Sequence, residues 1–263
     1  MKIAIIGCGI MGAAFARHFA KEHSLLLCDK NHKKATLLAQ ELEGEACERC
    51  HEAIQTAEVV LLAVKPQDLA EVAKHTASSF SKKKLLISVL GGASLSLLKK
   101  YYPESAILRI MPNVALSYGQ AVIGLVDDHL SQEMKNKGES LLKGLGLLAW
   151  LPEYKIEALS ALAASGPAFL FVIIESMIEG GIAMGFTSIE SKEFVLKTIE
   201  GAVTLLKETG KHPAELKWEV ASPGGTTIAG LKEMESMGVR AGIINTLLAC
   251  YQRNLQMREE IIK

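Results

Sequence analysis

The feature that most constrains this chain is a glycine turn close to its first residue. Lys2-Ile3-Ala4-Ile5-Ile6 is an apolar run of strand character. It is followed at once by Gly7-Cys8-Gly9-Ile10-Met11-Gly12 and then by helical spacing over Ala13–Lys21. In a Gly-x-Gly-x-x-Gly turn the first glycine permits the tight bend and the second lets a pyrophosphate approach the backbone. The third lets the helix pack closely on the strand. The helix start then offers free N–H donors and the positive end of its dipole to phosphate. The spacing alone is a weak signal, and its place between a strand and a helix gives it weight. Gly7, Cys8, Gly9, Ile10, Met11 and Gly12 are therefore expected to cradle a dinucleotide.

The next 140 or so residues repeat the alternation. Strand-like runs are read at Ser24–Cys28, Ala57–Val64, Lys84–Leu90, Ala106–Ile110, Ala121–Val126 and Ala149–Leu151. Helical patterns separate them at Lys33–Leu42, Leu69–Ser79, Ser94–Tyr101 and Ser131–Leu145. Short apolar runs divided by helices imply a parallel sheet with helices on both faces, a doubly wound Rossmann-type α/β domain. From about Glu153 helical stretches dominate: Ile156–Met184, Ser188–Thr209, Pro213–Val220, Thr226–Glu235 and Val239–Ile262. Gly185, Gly210 and Gly238 stand where C-caps belong. The expected division is 1–152 for a dinucleotide-binding domain and 153–263 for an all-α substrate and dimerisation domain.

Composition narrows the partners. The chain has 263 residues, with 29 Lys plus Arg against 29 Asp plus Glu, a formal net charge of +0. That balance argues against nucleic acid or an anionic membrane and toward a small-molecule substrate. Five scattered cysteines and no signal-peptide pattern fit a cytoplasmic protein with reduced thiols. The apolar stretch Ala158–Met184 is broken by Ser160, Ser165, Gly166, Pro167, Glu175, Ser176 and Glu179. It is read as a helix buried all round in a helical core rather than a membrane span. A domain of that size has little room to bury every face of such a helix, so a partner chain is expected to cover part of it.

At the end of the second strand stands Asp29, placed to take a ribose 2′-hydroxyl and favour NAD. Lys30, Lys33 and Lys34 follow it, and a cation there favours the 2′-phosphate of NADP. NADPH and NADH therefore both remain open. Ala63-Val64-Lys65-Pro66 and Val89-Leu90-Gly91 fall at strand C-termini, where ligands of open α/β sheets bind, with the latter on the nicotinamide side. Asn113 is a candidate cofactor contact. Arg109 is read as an ion pair holding its loop. Pro223-Gly224-Gly225-Thr226-Thr227 reads as a turn into a helix. There the N–H groups of Gly225, Thr226 and Thr227 would cradle a carboxylate; the plain alternative is an N-cap by Thr226 or Thr227.

Several stretches together resemble one family, the pyrroline-5-carboxylate reductases. They are Ala63–Pro66, Arg109-Ile110-Met111-Pro112-Asn113, Ala164-Ser165-Gly166-Pro167-Ala168-Phe169 and Val220-Ala221-Ser222-Pro223-Gly224-Gly225-Thr226-Thr227-Ile228-Ala229-Gly230-Leu231. The resemblance runs from Lys2 to about Gln252. It implies reduction of 1-pyrroline-5-carboxylate to proline with NAD(P)H, with a slight lean to NADPH, and a helical domain that self-associates as a dimer or ring of dimers. It further implies that Thr227 meets the ring nitrogen, and that Val220, Gly225, Thr226 and Ser165 line the substrate. Lys30 and Asn31 replace the small polar residues common in that family around the adenosine phosphate, and Trp218 replaces an acidic one.

Cys47-Glu48-Arg49-Cys50-His51 matches the haem-attachment pattern C-x-x-C-H, but in a chain without an export signal it is read as a loop with Cys50 or His51 near the adenine edge. Histidine spacing points to no metal. Rival functions are another imine reductase, a β-hydroxyacid dehydrogenase, or a non-catalytic NADPH sensor. Gly180, Gly181 and Gly185 precede Lys192 with the wrong spacing for the dehydrogenase, and a sensor has no use for the Pro223–Thr227 cradle.

Overall fold

The computed structural model describes residues 1–81 and 83–262. In chain order the first part runs β1 Lys2–Ile6, α1 Ile10–Phe19, β2 Ser24–Cys28, α2 His32–Leu42, β3 Glu45–Ala46, α3 Cys50–Thr56, β4 Val59–Leu62 and α4 Leu69–Thr76. It continues with β5 Leu85–Ser88, α5 Leu95–Tyr101, β6 Ala106–Met111, β7 Ala121–Asp127, α6 Gln132–Leu142, β8 Gly146–Trp150 and α7 Ile156–Leu159. The strands form one eight-stranded sheet in the order β3-β2-β1-β4-β5-β6-β7-β8. β1 pairs in parallel with β2 on one side and with β4 on the other, so strand order reverses at β1.

The strands read as continuous apolar runs because both faces are covered. Ile3 and Ile5 pack on one side with Phe15, Phe19, Leu27 and Leu61. Ala4 and Ile6 point to the other side, among Leu26, Ile54, Leu62 and Leu69. This is the period-2 alternation of a strand with helices above and below.

Three features depart from the expected pattern. The sheet is not wholly parallel, since β7 runs antiparallel to β6 while β8 is parallel to β7. Only residues 112–120 join β6 to β7, too few for a parallel crossover of a dozen or more residues. Gly119, at φ 69°, closes this connection. β3 and α3 lie between the helix read at Lys33–Leu42 and the strand read at Ala57–Val64, where no element was expected; elements of two and seven residues are too short to show periodicity. The last strand spans Gly146–Trp150, beginning earlier than Ala149.

Contacts divide the chain into Met1–Ser165 together with Cys250 onward, and Gly166–Ala249. The expected division at 152/153 thus lies ahead of the break in contacts, and the last turns of the final helix belong with the sheet. The second unit contains α8 Gly166–Ala183, α9 Ser188–Thr209, α10 Pro213–Val220, α11 Thr226–Ser236 and the first half of α12 Val239–Ile262. α9 opens on a capping box, Thr187 with Glu190. α8 lies on α9 so closely that a Cβ on Gly181 would meet Ser191 Oγ at 2.1 Å. The Ser191 hydroxyl donates to the Ile178 carbonyl at 2.7 Å.

The long apolar helix is neither continuous nor buried. A π-helical turn, Ser160–Ala164, separates α7 from α8. Leu170, Phe171 and Val172 of α8 are exposed by 57%, 64% and 62%. By length and composition Glu153–Ala183 would also pass for a membrane span. The expected all-round burial is therefore not met within one chain: α8 packs on α9 through Gly181 and leaves another flank exposed.

Candidate active site

Each glycine of the first turn has its own constraint. Gly7 has φ +101°, and a Cβ there would lie 2.5 Å from the Ala63 carbonyl oxygen. Its N–H donates to the Cys28 carbonyl at 2.8 Å, which draws the turn over the end of β2. A Cβ on Gly12 would meet the Gly7 carbonyl oxygen at 1.8 Å, so helix and turn touch through bare backbone. Around Gly9 a Cβ would find nothing within 4 Å. Gly9 is also the N-cap of α1, with no side-chain cap and no acidic residue in the first turn. The result is an open space in front of unpaired N–H donors at the strand-order reversal, a fit for a pyrophosphate. Ile10 is 85% exposed beside it and Met11 half-buried.

Asp29 supports this turn directly. One carboxylate oxygen accepts the Cys8 N–H at 2.7 Å and the other the Asn31 N–H at 2.9 Å. Lys30 reaches Asp68 at 3.0 Å and is mostly exposed, a pair that contributes little by itself. On the β4 side Ala63 and Val64 are half-buried, Lys65 is exposed, and Pro66 opens a short 3-10 turn to Asp68. After β5, Val89 and Gly91 are half-buried. A Cβ on Gly91 would find open space, whereas Leu90 is 1% exposed and offers only its backbone.

The thiols of Cys8, Cys28, Cys47 and Cys50 gather at the same edge, and all five cysteines of the chain are free. Burial, with Asp29 nearby, pushes the Cys8 thiol up to about 12. The Cys28 thiol is raised by its hydrogen bond to Cys50 and by burial. That same bond holds Cys50 below its ordinary value. Cys50 opens α3 rather than standing in a loop.

Arg109 is an ion-pair centre, as expected, and its partners are residues the sequence reading passed over. Its side chain is fully buried and donates to Glu153 Oε1 at 2.9 Å and Glu157 Oε1 at 3.2 Å. Glu153 Oε1 also accepts the Leu95 N–H at 2.6 Å. The available signal was two acids four apart at the edge of an otherwise apolar helix. The Asn113 amide is committed within the chain, Nδ2 donating to the Ala163 carbonyl at 3.0 Å and Oδ1 accepting the Ala115 N–H at 3.3 Å.

In the helical unit, Gly224 has φ +67°, a left-handed conformation that favours glycine. The Gly225 N–H is not free, as had been expected; it donates to the Ser222 carbonyl at 3.0 Å and closes the turn. Gly225 is itself the N-cap of α11, and no side chain caps the helix, so neither Thr226 nor Thr227 takes that role. The open donors therefore begin at Thr226, exposed, and Thr227, half-buried. Val220 ends α10 and is 67% exposed. Ser165 is half-buried, its N–H donating to the Ser160 carbonyl at 2.9 Å.

A phosphate-ready glycine turn at the reversal point of a doubly wound sheet, joined to a helical unit, defines a dinucleotide-binding protein of the oxidoreductase kind. Residues 2–92 match the family "NADP oxidoreductase coenzyme F420-dependent". Residues 153–257 match "Pyrroline-5-carboxylate reductase dimerisation". The chain is 31% identical to the pyrroline-5-carboxylate reductase of Synechocystis, covering 98% of each. It is 34% identical to that of Aquifex aeolicus, covering 99% of this chain and 97% of the relative. A solved Plasmodium falciparum pyrroline carboxylate reductase with NADP bound is 25% identical, with 98% of each chain covered and a TM-score of 0.89. The chain belongs to the pyrroline-5-carboxylate reductase family.

Proposed function

We propose that this protein reduces 1-pyrroline-5-carboxylate to L-proline with NAD(P)H, the last step of proline biosynthesis. The observation that carries the reading is the uncapped start of α11. There Gly224 turns the chain, Gly225 leaves no side chain in the way, and the N–H groups of Thr226 and Thr227 are free to bind a carboxylate. The substrate has one carboxylate, and a helix start is a natural receptor for it. A bound dinucleotide would supply the hydride to the imine carbon, C5, while the nitrogen takes its proton from solvent and becomes the amine of proline.

The chain's own residues then have to bind and align. Gly7 to Gly12 take the pyrophosphate, and Ala63 to Pro66 with Val89 to Gly91 line the cofactor. Asp29 acts first as a brace for the glycine turn. Because its carboxylate is engaged by two N–H groups, Lys30 stands beside it and a relative carries NADP, we favour NADPH. The Thr227 hydroxyl orients the ring nitrogen, and Val220 and Ser165 are each a substrate contact. The exposed apolar face of α8 fits a second copy of this chain, which supports self-association as a dimer or a ring of dimers. The free thiols suit the cytoplasm.

Mixing the protein with pyrroline-5-carboxylate and either NADPH or NADH should oxidise the nucleotide, read as loss of its absorbance. No oxidation with either would overturn the assignment. Thr227→Ala should lower kcat about 10–100-fold, the effect of one or two lost hydrogen bonds. Unchanged kinetics in that variant would remove Thr227 from the mechanism.

A further inference from the structure

We propose that Asn113, backed by Arg109, is a positioning residue for the substrate: it locks the π-helical turn Ser160–Ala164 and so fixes where Ser165 stands. The inference rests on Ser165 being a substrate contact, as proposed above.

The need for a lock comes from the sequence of the turn. In a continuing helix the Ala163 carbonyl would accept from the N–H four residues on, but that residue is Pro167, which has none. Asn113 supplies the missing donor: its Nδ2 reaches that carbonyl at 3.0 Å. Asn113 is only 8% exposed, and its oxygen is held in turn by the Ala115 N–H. Its amide is thus oriented from both ends.

The turn matters because one extra residue in a helix rotates everything beyond it by roughly 100°. Ser165 closes the i to i−5 bond to Ser160 at 2.9 Å, so its direction is set by whether the turn stays π-helical. Arg109 holds the base of the same segment to β6 through Glu153 and Glu157. Asn254 Nδ2 donates to the Glu157 carbonyl at 3.2 Å, and Arg258 lies 3.6 Å from Glu157 Oε2. A cavity of about 40 Å³ lies between them, lined by Gly91, Arg109, Glu157 and Ser160. The segment that carries Ser165 is therefore referenced to the strand ends where the cofactor is proposed to lie.

The test is kinetic. Asn113→Ala and Asn113→Asp, neither able to donate to Ala163, should lose at least about 10-fold in kcat/KM for pyrroline-5-carboxylate. The Kd for NADPH, read by fluorescence quenching, should stay within about 2-fold. Adding Pro167→Ala to Asn113→Ala restores a backbone N–H for the Ala163 carbonyl and should recover much of the loss. In a Ser165→Ala background, Asn113→Ala should add less than about 2-fold. Should Asn113→Ala not fold, Asn113→Val, which also lacks a donor, takes its place.

A weakened NADPH affinity with unchanged substrate kinetics would make Asn113 a cofactor ligand and overturn the proposal. So would a loss that Pro167→Ala leaves unrescued and that adds fully to Ser165→Ala. A Ser165→Ala variant as active as the parent would instead overturn the Ser165 assignment on which the inference rests.

Discussion

Within three residues of the first turn, two glycines meet opposite surroundings. Gly12 faces the Gly7 carbonyl, so Gly12→Ala must push backbone against backbone. It should destabilise by about 3 kcal/mol or more, read as a large fall in Tm. Gly9 has an ordinary extended conformation and open space around it. Gly9→Ala should keep the parental Tm yet weaken NADPH at least about 10-fold by fluorescence quenching; tight binding in that variant would move the pyrophosphate elsewhere. The thiols differ in the same way. Cys50 is half-buried and held low by Cys28, while Cys8 is pushed up to about 12. Iodoacetamide near neutral pH should label Cys50 ahead of Cys8, as peptide mass mapping would report. The contrast between Gly9 and Gly12 was legible because it follows from backbone sterics inside one short motif. The thiol cluster was not, since it depends on β2 and α3 meeting.

The segment from Glu153 to Ser165 shows where element-level reading stops. Helical spacing over Ile156–Met184 is real, but periodicity does not register one inserted residue, so the π-turn was invisible. Arg109 was read correctly as an ion pair, yet Glu153 and Glu157 lie more than forty residues away in the chain. Arg109→Met would leave two carboxylates without their buried partner. It should cost about 3–5 kcal/mol in urea unfolding, the penalty for an uncompensated buried charge. A variant as stable as the parent would mean that water reaches these acids. The antiparallel β7 has the same kind of origin: alternation predicted the strand, and only the short return through Gly119 decided its direction.

For the whole molecule, the exposed flank of α8 sets the strongest expectation. Phe171→Glu should place a charge where a second chain is proposed to pack. Light scattering should then show a smaller species, and activity should fall with it; an unchanged oligomer would put the interface elsewhere. Stability should also depend on pH through His18, which burial holds below its ordinary 6.5 while its ring meets the Leu141 carbonyl. The unfolded chain then binds the proton at higher pH than the fold does. This contribution is complete above about 6.5 and is lost as pH falls toward the folded value. His18→Gln should flatten that part of the stability profile between pH 7 and 5, measured by urea titration.

What the amino-acid sequence determined by itself is local or periodic. The βαβ start, the strand and helix alternation, the helical second half and the two glycine turns all follow from φ preferences and from which face of an element is apolar. Gly7 to Gly12 and Gly224-Gly225 could be assigned from such rules alone. Tertiary structure decided what depends on distant partners: that Asp29 holds the Cys8 N–H and Asn113 the Ala163 carbonyl, that Arg109 sits between two glutamates, and that one flank of α8 stays exposed. Hydrogen bonds and burial are satisfied between residues far apart in the chain, and spacing along a sequence carries no record of which distant group will arrive.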